Sequence, residues 1–198
     1  MKKPRQPFGF FLSSFLLPWF ALFADGADAA VSGPTVASSA QSSPRRDGAR
    51  DFDFQCGEWR VRHRVKRQDT WTEFGGTCRN RGLIDGSANV EEHTFNRSTS
   101  ITYGIALRAY DAKAAQWAIW WVDSRDPHAP LDPPVKGRFE NDVGTFYSDY
   151  MADGKPMRLR YIWSHISADS AHWEQASSSD EGKTWDTNWT MEFERTAP

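Results

Sequence analysis

Polar and apolar residues alternate along "EWRVRHRVK", residues 58–66. Trp59, Val61, His63 and Val65 fall on one face; Arg60, Arg62, Arg64 and Lys66 fall on the other. A period of two is the mark of a β-strand with one covered and one solvated face. Nine further stretches read as strands, "ANVEEHTF" more weakly: "TWTEFGGTCRN", "ANVEEHTF", "TYGIALRAYD", "QWAIWWVDS", "PVKGRFE", "VGTFYSDYM", "PMRLRYIWSHI", "SAHWEQASS" and "TWDTNWTMEFER". Turn signals separate many of them, among them "DAKAAQ", "END", "ADGKP", "SADSA" and "SDEGKT". Connections this short force antiparallel neighbours, because parallel pairs need a long crossover. The pattern predicts an all-β fold, a single antiparallel up-and-down barrel of about ten strands whose closure removes exposed edges.

The turn "SSDEGKTW", residues 178–185, spells Ser-x-Asp-x-Gly-x-Thr-Trp, the Asp-box of sialidase propellers. A propeller repeats its box once per blade, at a period of roughly 40–50 residues; here only "YDAKAAQW", residues 110–117, is a loose echo. Asp180, Gly182 and Trp185 are therefore expected to be structural. The Asp carboxylate ties the turn, Gly182 takes positive φ, and Trp185 packs beneath.

The 198 residues suffice for one domain with a proper core. Residues 1–30 run from basic ("MKKPRQP") through apolar ("FGFFLSSFLLPWFALFA") to small ("ADAA"), the order of a secretory signal peptide. Residues 31–50, rich in Ser, Ala and Gly, read as a flexible linker. Residues 51–198 form the expected barrel domain, periplasmic or secreted, with no membrane association after signal cleavage. The formal net charge is −2, with basic residues scattered rather than clustered. That distribution argues against nucleic acid as a partner. Two cysteines in an exported chain, Cys56 and Cys78, are a candidate disulfide.

"CGEW", residues 56–59, following "DFDF", resembles the opening of lipocalin-like (calycin) barrels. That resemblance implies that Trp59 closes one end of the barrel and that a basic residue of the last strand, here Arg195, lies over it. The stretches "FDFQCGEWRVRHR", "LRAYDAKAAQWAIWWVDSR", "LDPPVKGRF" and "WEQASSSDEGKTWDTNWTMEF" are similar to an uncharacterised bacterial lipocalin-like family. The family implies the barrel and carries no activity or catalytic residues with it.

Alternation places His63, Trp121, Asp123, Tyr161, Trp163, Trp173, Gln175 and Trp189 on the inner face, with Trp185 and Thr187 sharing the face of Trp189. Aromatic rings with a few polar groups suit a small apolar or aromatic ligand; the alternative is that nine tryptophans after residue 51 fill the barrel. No cofactor is expected. A second reading is an enzyme, an isomerase or hydrolase of a hydrophobic substrate, with His63 and Asp123 as acid–base pair. A third is a cell-envelope interaction module using surface tryptophans. Glu91 and His93 share one side of "EEH", but two ligands make no metal site, and the stretch reads as a solvated strand. The loop "DSRDPHAPLDPPVKG", residues 123–137, stiffened by four prolines, is a candidate rim or cover. Arg125 and Arg160 are candidate anion contacts there. "QWAIWWVDS" is apolar on both faces, so its outer side predicts a cover: the linker, the Pro-rich loop, or a second copy in a homodimer.

Overall fold

The computed structural model describes residues 48–197. The expected signal peptide (1–30) and all but the last three residues of the expected linker (31–50) lie outside them. Ten antiparallel strands follow in order: β1 (Gly57–Arg67), β2 (Thr70–Leu83), β3 (Ala88–Arg97), β4 (Ser100–Asp111), β5 (Gln116–Asp123), β6 (Val135–Glu140), β7 (Val143–Ala152), β8 (Lys155–Ser164), β9 (Ser170–Ser178) and β10 (Asp186–Ala197). Each pairs with its neighbours in sequence, and β10 pairs with β1, so the sheet closes. This is the closed up-and-down barrel that the strand pattern predicted, in the lipocalin-like architecture that the resemblance implied. Two hairpins owe their tightness to left-handed pairs, Asn141–Asp142 between β6 and β7 and Asp153–Gly154 between β7 and β8.

The register fixes which residues point inward. Across β1 and β2, Trp59, Val61 and His63 face Cys78, Gly76 and Phe74. From β8 to β9 to β10, Tyr161 faces Gln175, which faces Trp189. One pairing is much shorter than the rest: β5 meets β6 only across Trp117–Ile119 and Val135–Gly137. The upper part of β5, residues 120–123, thus lies beyond the β5–β6 ladder, next to the Pro-rich loop.

One end of the barrel is plugged by the chain that precedes β1. Two 3-10 turns, Gly48–Arg50 and Asp53–Gln55, carry Phe52 and Phe54 into it. The Phe52 ring meets Trp117 and Phe139 edge-on at 5.0 and 4.9 Å between centroids, and Phe54 meets Trp163 at 5.5 Å. The indole N–H groups of Trp59 and Trp117 donate to the carbonyls of Gln55 and Gly48, both at 2.8 Å. The Arg195 guanidinium lies 4.1 Å from the Trp59 ring centroid, as the resemblance implied, and donates to the Cys56 and Phe54 carbonyls. One side chain of β10 thereby clamps the plug to the wall.

Three expectations change here. The cysteines are free: Cys78 points inward opposite Trp59, whereas Cys56 precedes β1 and its thiol turns to the Asn80 side chain. A register shift between Thr187 and Trp189 breaks the alternation of β10. Trp185 therefore lies outside, with the outward Arg160 guanidinium 4.3 Å from its ring centroid, while Trp189 remains inside. Glu91 and His93 lie on the inner face and are only 3% and 2% exposed, so "EEH" is no solvated strand.

The Asp-box is a hydrogen-bonded turn. Asp180 accepts from the Thr184 backbone N–H at 2.9 Å and from its hydroxyl at 2.7 Å, and Gly182, at φ 90°, donates to Ser178 Oγ at 2.8 Å. These bonds hold the Asp180 carboxyl down at about 2.

Candidate functional site

A continuous polar chain crosses the barrel interior. The Trp189 indole N–H donates to His63 Nδ1 at 3.2 Å, so that nitrogen carries no proton in neutral His63. The proton then sits on Nε2, which faces His93 Nε2 at 3.2 Å. His93 accepts there and donates from Nδ1 to Glu91 Oε1 at 2.8 Å. The other Glu91 oxygen takes Gln55 Nε2 at 2.8 Å and the Arg108 guanidinium. Arg108 also donates to Asn89 Oδ1 at 3.0 Å, and Asn80 bonds the same oxygen at 3.1 Å. Every link has one donor and one acceptor, which assigns the tautomers of both histidines.

Electrostatics agree with that assignment. Burial, then His93 and Arg97, lower His63 to about 3, so it is neutral at physiological pH. Burial pushes the Glu91 carboxyl up, but Arg108 and the hydrogen bond from His93 hold it well below the usual carboxylate range. The pair Glu91–Arg108 thus carries one negative and one positive charge inside the barrel. Both carboxylate oxygens are hydrogen-bonded, whereas the buried Arg108 Nε has no partner among the described residues.

Cys78, Glu91 and His93 bring three donor atoms within 4.8 Å of one another. As a metal set they fit poorly. Both Glu91 oxygens are committed to hydrogen bonds, Arg108 sets a positive charge beside them, and burial, then Glu91, raise the Cys78 thiol well above its ordinary value. The cluster behaves as a closed polar core.

Above this core the inner face changes character. Phe74 and Phe95 roof the histidines, with ring centroids 4.7 Å from His63 and 4.6 Å from His93. Beyond them, inward residues regain exposure: Tyr150, Tyr161, Gln175 and Trp189 are half-buried, and Trp121 is 39% exposed. These inner-face residues lie toward the end opposite the plug and beside the part of β5 that has no β6 partner, so the inner face meets solvent there, at a mouth lined by aromatic rings and polar groups. Gly104 makes room for Trp121: a Cβ there would lie 2.0 Å from its Cζ2. Gln175 Nε2 donates to Asn188 Oδ1 at 2.9 Å, between neighbouring strands at the register shift of β10. Burial, then Asp132 of the Pro-rich loop, raises the Tyr161 hydroxyl.

The residues singled out from sequence thus divide by depth. Trp163 lies in the plugged end against Phe54 and Phe193; its buried indole N–H has no partner among the described residues. His63 and Trp173 lie mid-barrel, and Trp121, Asp123, Tyr161, Gln175 and Trp189 belong to the mouth. The proposed His63–Asp123 pair does not form. Asp123 is forked by Arg125, whose Nε donates at 2.8 and 3.0 Å, and His63 is instead backed by His93 and Glu91. Asn80, Asn89, Glu91, His93 and Arg108 were not recognised as a site; the only sequence signal is that they share the inward parity of β2, β3 and β4.

A groove of about 490 Å³ opens outside the plugged end, between Arg50, Asp53, Cys56 and the Leu83–Gly86 turn. Arg50 already bonds Asp53 at 2.6 Å and the Asp85 carbonyl at 3.2 Å.

No protein-family model matches the chain, and no curated protein matches it in sequence. Among solved structures the chain is similar to the S-type phycobiliprotein lyase CPES from Guillardia theta, with a TM-score of 0.50 and 10% identity over 77% of this chain and 98% of that one. At that identity the likeness is one of fold.

Proposed function

We propose that this protein is an exported lipocalin-like barrel that binds a small apolar or aromatic molecule in its open half, and that it belongs to an uncharacterised bacterial family of such barrels. The observation that carries the reading is the exposure of Trp121, Trp189, Tyr161 and Gln175 on the inner face of a barrel plugged at its other end. Aromatic walls with a few fixed polar groups are the usual lining of small-molecule sites. The basic, apolar and small order of residues 1–30 supports a periplasmic or secreted location. A fold of this kind also serves a phycobiliprotein lyase.

The test is a titration with N-phenyl-1-naphthylamine, a neutral aromatic dye that brightens when it leaves water. Saturable one-to-one binding is expected, weakened at least tenfold when Trp121 and Trp189 are both replaced by Ala. Absence of saturable binding to the parent protein, by this dye and by its anionic analogue 8-anilino-1-naphthalenesulfonate alike, overturns the reading. Native mass spectrometry of protein from a producing cell then gives the mass of the natural ligand.

A second reading concerns the outside. Ile101, Tyr103, Ile105 and Leu107 follow one another on the outer face of β4, all exposed, beside Trp120 and Val122 of β5. Four successive outward apolar side chains support a second copy of the chain as a partner. Light scattering that gives only monomer mass at about 100 μM, far above the dissociation constant of a stable dimer, overturns it.

A further inference from the structure

The inner face of β3 rises from Glu91 and His93 through Phe95 to Arg97, so the stripe that begins on a buried carboxylate ends on a cation at the mouth. Arg97 is built into the wall. Its guanidinium carbon stands 4.4 Å from the Phe74 ring centroid and 5.3 Å from that of Phe95. Thr102 Oγ1 accepts its single hydrogen bond among the described residues, at 2.9 Å. A guanidinium has five N–H donors, so most of this fork remains available to an acceptor entering the mouth. Burial, then Arg125 and Arg67, lower the Arg97 pKa: the cation is partly desolvated and pressed by like charges. Asp123 is the one carboxylate among the charges that reach it, and the Arg125 fork already engages that carboxylate. On the opposite wall stand Tyr161 and the loop carboxylate Asp132, which repels an anion toward Arg97.

We infer that the molecule taken by the mouth is an amphipathic anion, an aromatic body against Trp121, Trp189 and Phe95 whose carboxylate or similar group is held by Arg97. This rests on the small-molecule reading above and adds the ligand's charge and orientation. A planar fork fixed on an aromatic floor suits a bidentate anion.

The test uses two dyes with the same aromatic body: 8-anilino-1-naphthalenesulfonate, which carries an anionic group, and neutral N-phenyl-1-naphthylamine. In Arg97→Gln the anionic dye is expected to bind about tenfold to a hundredfold more weakly, the scale of a charge-assisted hydrogen bond, while the neutral dye stays within about threefold. Arg97→Lys keeps the charge and loses the fork, so its affinity for the anionic dye falls between the two. Raising salt from about 0.02 to 0.5 M weakens only the anionic dye, through screening. Unchanged binding of the anionic dye in Arg97→Gln overturns the inference, and so does equal loss of both dyes, because Arg97 then acts only by supporting Phe74 and Phe95. Failure of both dyes to bind the parent protein overturns the small-molecule reading itself.

Discussion

His63 and His93 meet Nε2 to Nε2 at 3.2 Å in the middle of the barrel. Only one proton fits between those nitrogens, and the flanking partners decide which side owns it. Trp189 donates into His63 from one end and Glu91 accepts from His93 at the other, so the whole row points one way. Adding a proton to His63 breaks the row at Trp189 and places a cation in a site with no room for its water.

The first prediction follows from that cost. His63 titrates near 6.5 when unfolded and at about 3 when folded, so below pH 6.5 the unfolded chain binds the extra proton and the folded chain does not. Its contribution is complete above pH 6.5 and is lost as pH falls toward 3, with a slope approaching about 1.4 kcal/mol per unit. Glu91, whose folded pKa is depressed, adds its own loss only below the ordinary carboxylate value. Urea unfolding at pH 7.5, 6.0 and 5.0 should show the decline, and His63→Gln should flatten it between 6.5 and 5. An identical slope in the variant assigns the proton elsewhere.

Glu91→Gln removes the negative partner of Arg108 and leaves a buried cation facing an amide. A loss of roughly 3–5 kcal/mol is expected. The double change Glu91→Leu with Arg108→Met removes both charges and should cost less than Glu91→Gln alone. Denaturant midpoints of the three proteins give the comparison; a double variant less stable than the single one contradicts it.

Arg195→Met should cost about 2–4 kcal/mol, combining the contact over Trp59 with the hydrogen bonds to the plug carbonyls. Arg195→Lys should recover less than half, since an ammonium cannot lie flat on the indole and fork to two carbonyls. Hydrogen exchange should quicken first at residues 52–56. Unchanged exchange there means that the phenylalanines and the indole hydrogen bonds hold the plug without Arg195.

Gly104→Val should act on the mouth more than on the fold. A side chain at 104 occupies the space of the Trp121 ring, and that ring, already partly exposed, can swing toward solvent at a cost of roughly 1–3 kcal/mol. Dye affinity should drop severalfold, with red-shifted tryptophan emission. Normal affinity shows that Trp121 is not a wall of the site.

The barrel was legible in the sequence because its strands alternate and its turns are chemically marked; all ten strands lie where the alternation set them. The inner polar core was not. Glu91 and His93 on β3, Arg108 on β4 and Asn80 on β2 are polar residues at inward positions, and periodicity assigns polar residues to the solvent side. Only the register, which brings Asn80 opposite Glu91 and Asn89 opposite Arg108, reveals that they satisfy one another. Trp185 was misplaced for a different reason: one extra residue near Thr187 reverses the faces, and an unpaired strand carries no trace of it. Asp123 was drawn toward His63 by parity alone, which orders residues across the sheet but not along its depth.

The clamp of Arg195 on the plug also has a kinetic side. The first strand of the barrel is paired with the last, and the residue that locks the plug sits near the end of that last strand. Neither wall nor floor can finish until β10 arrives, so closure joins segments well over a hundred residues apart and must wait for nearly the whole chain. Strand pairing can start anywhere along the meander, but a chain interrupted before β10 retains two open edges and a loose Phe52–Phe54 segment. Such a thread stays pliant until its final strand appears, and then becomes a ring in a single step.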